Sequence, residues 1–244
     1  MDADLELALS LADLADSLSV PRFRAGDLSV ETKSDLTPVT DADRAVERAL
    51  RERLAAERPG DSVLGEEEGG GATPSGRLWV LDPIDGTRNF ARGIPVWATL
   101  VALLRDGETA VGVVSAPALG RRWWATRGGG AFADGTPIRV SQIGSLDEAA
   151  VSGFSSFAGV GERAWHLRDF GDFWQHVLVA EGSLELALDP MLSLWDIPAV
   201  ALVVEEAGGR CSGVDGARPT DSLVSSNGLL HEDALAALRN PRGV

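Results

Sequence analysis

Apolar positions along the chain change their spacing several times, and each change predicts an element. In DLELALSLADLADSL (residues 4–18) Leu and Ala recur every three or four positions, which predicts an opening helix. DLSVETK alternates as a strand. Thr40-Asp41-Ala42-Asp43 then opens a second helix with Ala42, Val46, Ala49, Leu50 and Leu54 on one face, and Pro59-Gly60 ends it. SVLG predicts a short strand before Glu66-Glu67-Glu68 and the loop GGGATPSG, and Trp79-Val80-Leu81 a short, fully buried one. WATLVALL, TAVGVVSAP and RRWWATR read as consecutive strands turning at Arg105-Asp106-Gly107 and Leu119-Gly120, with ADGTPIRV as a further hairpin. Beyond about residue 145 strands (AVSGFSS, LELALD, SLVSSN) alternate with helices (around 171–181, WDIPAVALVVEEAGG, HEDALAALR). The hairpins of the first half argue against a simple doubly wound parallel sheet and for two α+β halves, 1–140 and 141–244, that share a cleft.

Composition narrows the class. A chain of 244 residues, 44% apolar and 24% charged, is long enough for a sizeable core. Its net charge of −15 argues against nucleic acid or an anionic membrane as partner, since both need clustered Lys and Arg. Cys211 is the only cysteine, so no intrachain disulfide forms and a reducing compartment is expected. The segment MDADLELALS carries acids where a secretory leader carries bases, and no apolar run approaches a membrane span. These features predict a soluble, cytoplasmic protein. Lys33 is the one lysine among 22 basic residues.

Candidate chemistry gathers at element edges. Asp82 and Asp85 follow a buried strand, Glu66 follows another, and Asp196 opens a helix. Taken singly, several of these have structural readings. Asp196 can be an N-cap with Pro198 in the first turn, Asp43 the third position of a capping box begun by Thr40, and Glu66-Glu67-Glu68 a solvated charge run. The tryptophans at 79, 123 and 124 read as core or interface, and His166, His176 and His231 lack zinc-ligand spacing. The segment from Asp82 to Thr87 resists such a reading. Two carboxylates at the end of a buried strand need a cation or hydrogen-bond donors beside them, and Mg²⁺ takes such oxygen ligands.

LGEE (64–67), WVLDPIDGTRNF (79–90) and LWDIPAVALVVEEAGG (194–209) together resemble the three signature segments of the inositol monophosphatase family of Mg²⁺-dependent phosphatases. The resemblance implies a layered αβαβα sandwich with the metal site between the halves, most ligands coming from the first half. It places Glu66, Asp82 and the Ile84 carbonyl on one metal, and Asp82, Asp85 and Asp196 on a second. A third, weaker metal would sit near Glu66; two to three Mg²⁺ are expected per site, with Mn²⁺ as a substitute. Thr87, Asp43 and Glu66 become the catalytic set, Thr87 bonding to Asp43 and helping to orient and deprotonate the attacking water. Asp85, the amides of Gly86 and Thr87, and Lys33 line the phosphate site.

Within the family, SVETKSDLTPVTDADRAVE, ERPGDSVLGEEEG and RDFGDFW most resemble actinobacterial-type histidinol-phosphate phosphatases. The inositol enzymes carry a glutamate seven positions before the WD aspartate, where this chain has Asp189. Asp189, Asp172 and Arg168 are therefore the candidate substrate-binding residues, the carboxylates pairing with the ammonium and imidazole of histidinol. The resemblance also suggests a homodimer. An inositol phosphate, sugar bisphosphate or nucleotide 3′-phosphate is the alternative substrate, and a non-catalytic metal- or phosphate-binding regulator the alternative class. A haloacid-dehalogenase mechanism is rejected, because its D-x-D motif spaces the aspartates by two and its lysine lies downstream, whereas Lys33 lies upstream.

Overall fold

Leu7, Ala8, Leu11, Ala12 and Ala15 bury one face of the first helix, α1 (Ala3–Ser19), whose first turn is capped by the Asp2 side chain. A small hairpin, β1 (Val30–Thr32) with β2 (Pro38–Thr40), leads into α2 (Asp41–Glu57), which packs Val46, Leu50 and Leu54 into the same cluster as α1. The computed structural model describes residues 2–34, 36–71, 76–154 and 158–239. Half of the predicted GGGATPSG loop (72–75) and the end of AVSGFSS (155–156) therefore lie outside the described residues.

Eight strands form the larger sheet. They are β3 (Ser62–Gly65), β4 (Gly69–Gly70), β5 (Arg77–Asp85) and, after the short helix α3 (Thr87–Ala91), β6 (Ala98–Arg105), β7 (Glu108–Ala116), β8 (Arg121–Thr126), β9 (Gly130–Ala133) and β10 (Thr136–Pro137). Their order is β10-β9-β8-β7-β6-β5-β3-β4, antiparallel except where β3 runs parallel to β5. The remaining chain adds β11 (Ala150–Ser152), α4 (Ala158–Gly161), β12 (His166–Leu167), α5 (Asp172–Ala180), β13 (Leu186–Asp189), α6 (Ile197–Glu206), β14 (Arg210–Ser212), β15 (Leu223–Ser226) and α7 (His231–Arg239). Its five strands are ordered β12-β11-β13-β15-β14.

The layers follow from side-chain alternation. Trp79 and Leu81 of β5 face α1 and α2, whereas Val80 faces the opposite cluster with Val200, Leu202 and Phe173 of α6 and α5. Since α6 lies between the two sheets, it is apolar nearly all round: Val200, Leu202, Val203 and Val204 are all buried. Beyond the second sheet, Leu186, Leu188 and Val224 pack on Leu235 of α7. The result is the expected αβαβα sandwich. Trp79 and Trp123 are core, and Trp124 stacks half-buried on Phe132. No described helix is long and apolar enough to cross a membrane.

Candidate active site

Strand β5 delivers the central carboxylates by breaking its own register. In a regular strand residues three apart point to opposite faces. Asp82 pairs with Leu100 and Asp85 with Ala98, so one extra residue bulges out of β5 between them. Pro83 sits in that bulge, where its missing N–H removes nothing from the ladder, and its carbonyl accepts from Thr99 Oγ1 (2.8 Å). Asp82 is nearly fully buried (2% exposed), with Oδ1 accepting the Ile84 amide at 2.9 Å. Gly86 ends the turn at φ 82°, where an added Cβ would lie 3.0 Å from the Val96 carbonyl and 3.3 Å from Asp172 Oδ2.

Asp196 completes the cluster from the other half. It stands at the N-terminus of α6 but caps nothing there; instead Oδ2 accepts the Ser193 amide (2.6 Å). The structural reading as a helix cap is thus replaced by a turn that aims the carboxylate at β5. Carboxylate oxygens of Asp82, Asp85 and Asp196 lie within 4.8 Å of one another. Burial, and then repulsion from Glu66 and Asp85 on Asp82 and from Asp172 and Asp196 on Asp85, push both well above the usual carboxylate range; burial pushes Asp196 up to about 6. Three converging oxygen donors that resist ionising together are the donor set of a hard divalent cation, so these residues fit Mg²⁺ or Mn²⁺.

Thr87 and Asp43 meet beside this cluster. Thr87 Oγ1 lies 3.1 Å from Asp43 Oδ1 and 2.9 Å from the Ile84 carbonyl. One hydroxyl proton serves either acceptor, and the oxygen keeps lone pairs for a water. Asp43 has no exposed surface and also completes the capping box, Oδ2 accepting the Thr40 amide at 2.8 Å. The capping reading of Asp43 holds, and the expected contact with Thr87 is present as well: the cap fixes one oxygen and leaves the other for Thr87. Burial raises its pKa to about 6 against the lowering effect of Thr40.

Glu66 stands next to this set rather than within its closest group. Lys33 Nζ bridges Glu66 Oε1 (2.8 Å) and Glu67 Oε1 (2.5 Å). Burial opposes the ammonium charge, but the two carboxylates outweigh it and raise the Lys33 pKa. Burial lifts Glu67 to about 7 despite Lys33. Glu66-Glu67-Glu68 is accordingly only partly a solvated run: the Glu66 and Glu67 side chains are 16% and 7% exposed and Glu68 50%.

Asp172 and Asp189 extend the acidic wall from the second half. Asp172 opens α5 at φ 50°, a left-handed conformation, and its Oδ2 accepts from Asn89 Nδ2 at 2.9 Å. The next amide, Phe173 N, donates to Asp85 Oδ2 at 2.6 Å. Asp189 ends β13, held by the Met191 amide and, at 3.5 Å, by Gln175 Nε2; burial pushes it to about 6 against the Met191 bond, with Asp172 and Asp196 adding repulsion. Arg168 is exposed and donates to the neighbouring Leu167 carbonyl (3.3 Å), and no described contact joins it to these carboxylates. Sequence reasoning passed over the contacts of Glu67 with Lys33 and of Asn89 with Asp172. The N in DGTRN directly after the ligand segment was the available signal for Asn89.

A profile of the inositol monophosphatase family matches residues 4–241. The chain is 54% identical to a histidinol-phosphatase of Mycobacterium tuberculosis, over 96% of this chain and 97% of that one. It is 47% identical to a histidinol-phosphatase of Streptomyces coelicolor, over 96% of each. Among solved structures, the extragenic suppressor protein suhB of Bartonella henselae superposes with a TM-score of 0.90 at 26% identity, covering 100% of both chains.

Proposed function

The chain belongs to the inositol monophosphatase family, and from that premise we propose that its acidic cleft hydrolyses histidinol phosphate to histidinol and phosphate. The observation that carries the reading is the convergence of Asp82, Asp85 and Asp196 beside the Thr87–Asp43 pair, with Asp172 and Asp189 continuing the acidic surface. The first group suits a phosphate ester held through divalent cations; the second suits a leaving group that is itself cationic.

Glu66, Asp82, the Ile84 carbonyl, Asp85 and Asp196 would hold two Mg²⁺, with a third near Glu66. Bound cations would supply charge neutralisation for the phosphoryl oxygens and a lowered pKa for water. The residues themselves orient the reaction. Thr87 donates its proton to Asp43, which leaves its oxygen free to accept from the attacking water and line it up with phosphorus. Gly86 and Thr87 present their amides to the phosphate, with Asp85 beside them and Lys33 adding positive charge. Asp172 and Asp189 pair with the ammonium and imidazole. Arg168, exposed as it is, takes the outermost position in this reading. The setting we propose is a cytoplasmic homodimer.

Phosphate release with Mg²⁺ on histidinol phosphate, inositol 1-phosphate, fructose 1,6-bisphosphate and adenosine 3′,5′-bisphosphate, with a chelator control, tests the reading. A kcat/KM for histidinol phosphate about a hundredfold above the rest is expected, since two partly buried carboxylate contacts separate it from leaving groups that carry no positive side chain. A flat or inositol-led profile would overturn the substrate and leave the hydrolase.

A further inference from the structure

The turn that carries Glu66 is held from beneath by a carboxylate with no part in the site described above. Glu47 lies four residues after Asp43 on α2, so one helix face delivers both. It has no exposed surface. Its Oε2 accepts the amide of Glu67 at 2.7 Å and its Oε1 the amide of Glu68 at 3.0 Å. Arg51, one turn further along α2, donates Nε to Glu47 Oε1 at 2.8 Å and its far end to the Gly69 carbonyl. The backbone at Gly65 passes so close that a Cβ there would land on the Glu47 carboxylate. Glu47 and Arg51 thus clamp the turn from Gly65 to Gly69 against α2.

The position of the clamp matters more than its strength. The Glu67 amide shares a rigid peptide plane with the Glu66 carbonyl, so fixing it fixes ψ of Glu66 and the direction in which its side chain leaves the backbone. A buried carboxylate accepting two successive amides and an arginine has little freedom to shift, because any departure strands buried donors. We propose that Glu47, with Arg51, is a positioning residue for the divalent cation: it aims Glu66 and thereby sets cation affinity without touching the cation. This rests on the preceding assignment of Glu66 as a ligand.

The test is Mn²⁺ binding by titration calorimetry to the full chain after chelator treatment, for the parent, Glu66→Gln, Glu47→Gln and the double variant. Glu47→Gln keeps the shape but turns an N–H toward a donor. It should weaken Mn²⁺ about tenfold or more, as substitutions behind metal ligands do. The double variant should bind about as weakly as Glu66→Gln alone, because the two act through one side chain. Mn²⁺ should also raise the thermal midpoint less in Glu47→Gln than in the parent, a difference that a purely structural role would not produce. Affinity within twofold of the parent, or losses that add in the double variant, would overturn the inference. If Glu66→Gln itself leaves Mn²⁺ binding unchanged, the ligand assignment fails and takes this inference with it. Should Glu47→Gln not fold, Arg51→Lys, which keeps the charge but not the reach to Gly69, carries the test: unchanged affinity overturns the proposal and a severalfold loss supports it.

Discussion

The two halves hold their carboxylates in different ways. On the side of the larger sheet, Asp82 is pinned by the amide two residues on, and Asp43 by its own helix cap. These are short-range bonds to backbone, set as soon as the local chain folds. On the side of the smaller sheet, Asp172 is held by the side-chain amide of Asn89, and Asp189 by the Met191 amide two residues on together with a long contact to Gln175. Asp196, which also accepts a nearby amide, that of Ser193, is the one residue of that half within the tight cluster. In the proposed site this sets Asp82 and Asp43, fixed by nearby backbone, against Asp172, held by a side chain that can adjust around the leaving group.

The largest expected effect tests the fixed side. Asp82→Asn should lower kcat about 1,000-fold or more, because it removes the carboxylate shared by both proposed cations, while circular dichroism stays native. Near-native turnover would remove Asp82 from the centre. Thr87→Ala should lower kcat about a hundredfold and leave KM close to the parent, since it touches the water and not the ester; a raised KM at constant kcat would place Thr87 in binding instead. On the adjustable side the effect should be smaller and selective. Asp172→Asn and Asp189→Asn should each cost about tenfold on histidinol phosphate with little change on an aryl phosphate. Equal losses on both substrates would erase the distinction between the halves.

The smallest effect concerns acid. His176 and His231, both in the smaller-sheet half, are buried and neutral, with burial pushing their pKa values down to about 3 and about 4. Unfolding returns each to about 6.5, so the unfolded chain binds the extra protons. Their contribution is whole above about pH 6.5 and drains away as the pH falls toward 4, at up to about 1.4 kcal/mol per unit for each histidine. Hydrogen exchange should then show α5 and α7 opening before α1 and α2. Simultaneous opening would mean that the halves do not respond separately to acid.

Much of this was legible in the chain because the information is local. The helix predicted over 4–18 spans Ala3–Ser19, and SVLG is a strand over the same four residues. The Thr40–Asp43 cap was readable from spacing alone. What escaped is what depends on distant partners. The strand expected at 79–81 runs from Arg77 to Asp85, because pairing with β6 continues through a bulge that no periodicity encodes. The two-residue β12 and three-residue β14 exist only through their neighbours in the sheet. Asp172 could be suspected from RDFGDFW, but its closeness to Asp85 arises from α5 meeting the β5 turn, 87 residues apart along the chain. Nothing in the local sequence marks Glu47, since the turn it holds follows another strand.

The placement of Asp196 bears on how the enzyme comes into being. Two of the three clustered carboxylates are in place once the larger sheet has formed, but the third arrives only when α6 docks between the sheets. With Asp196 holding a cation as proposed, a nascent or partly unfolded chain would lack a working centre even when half of it is native, and reactivity toward phosphate esters would be withheld until assembly is finished.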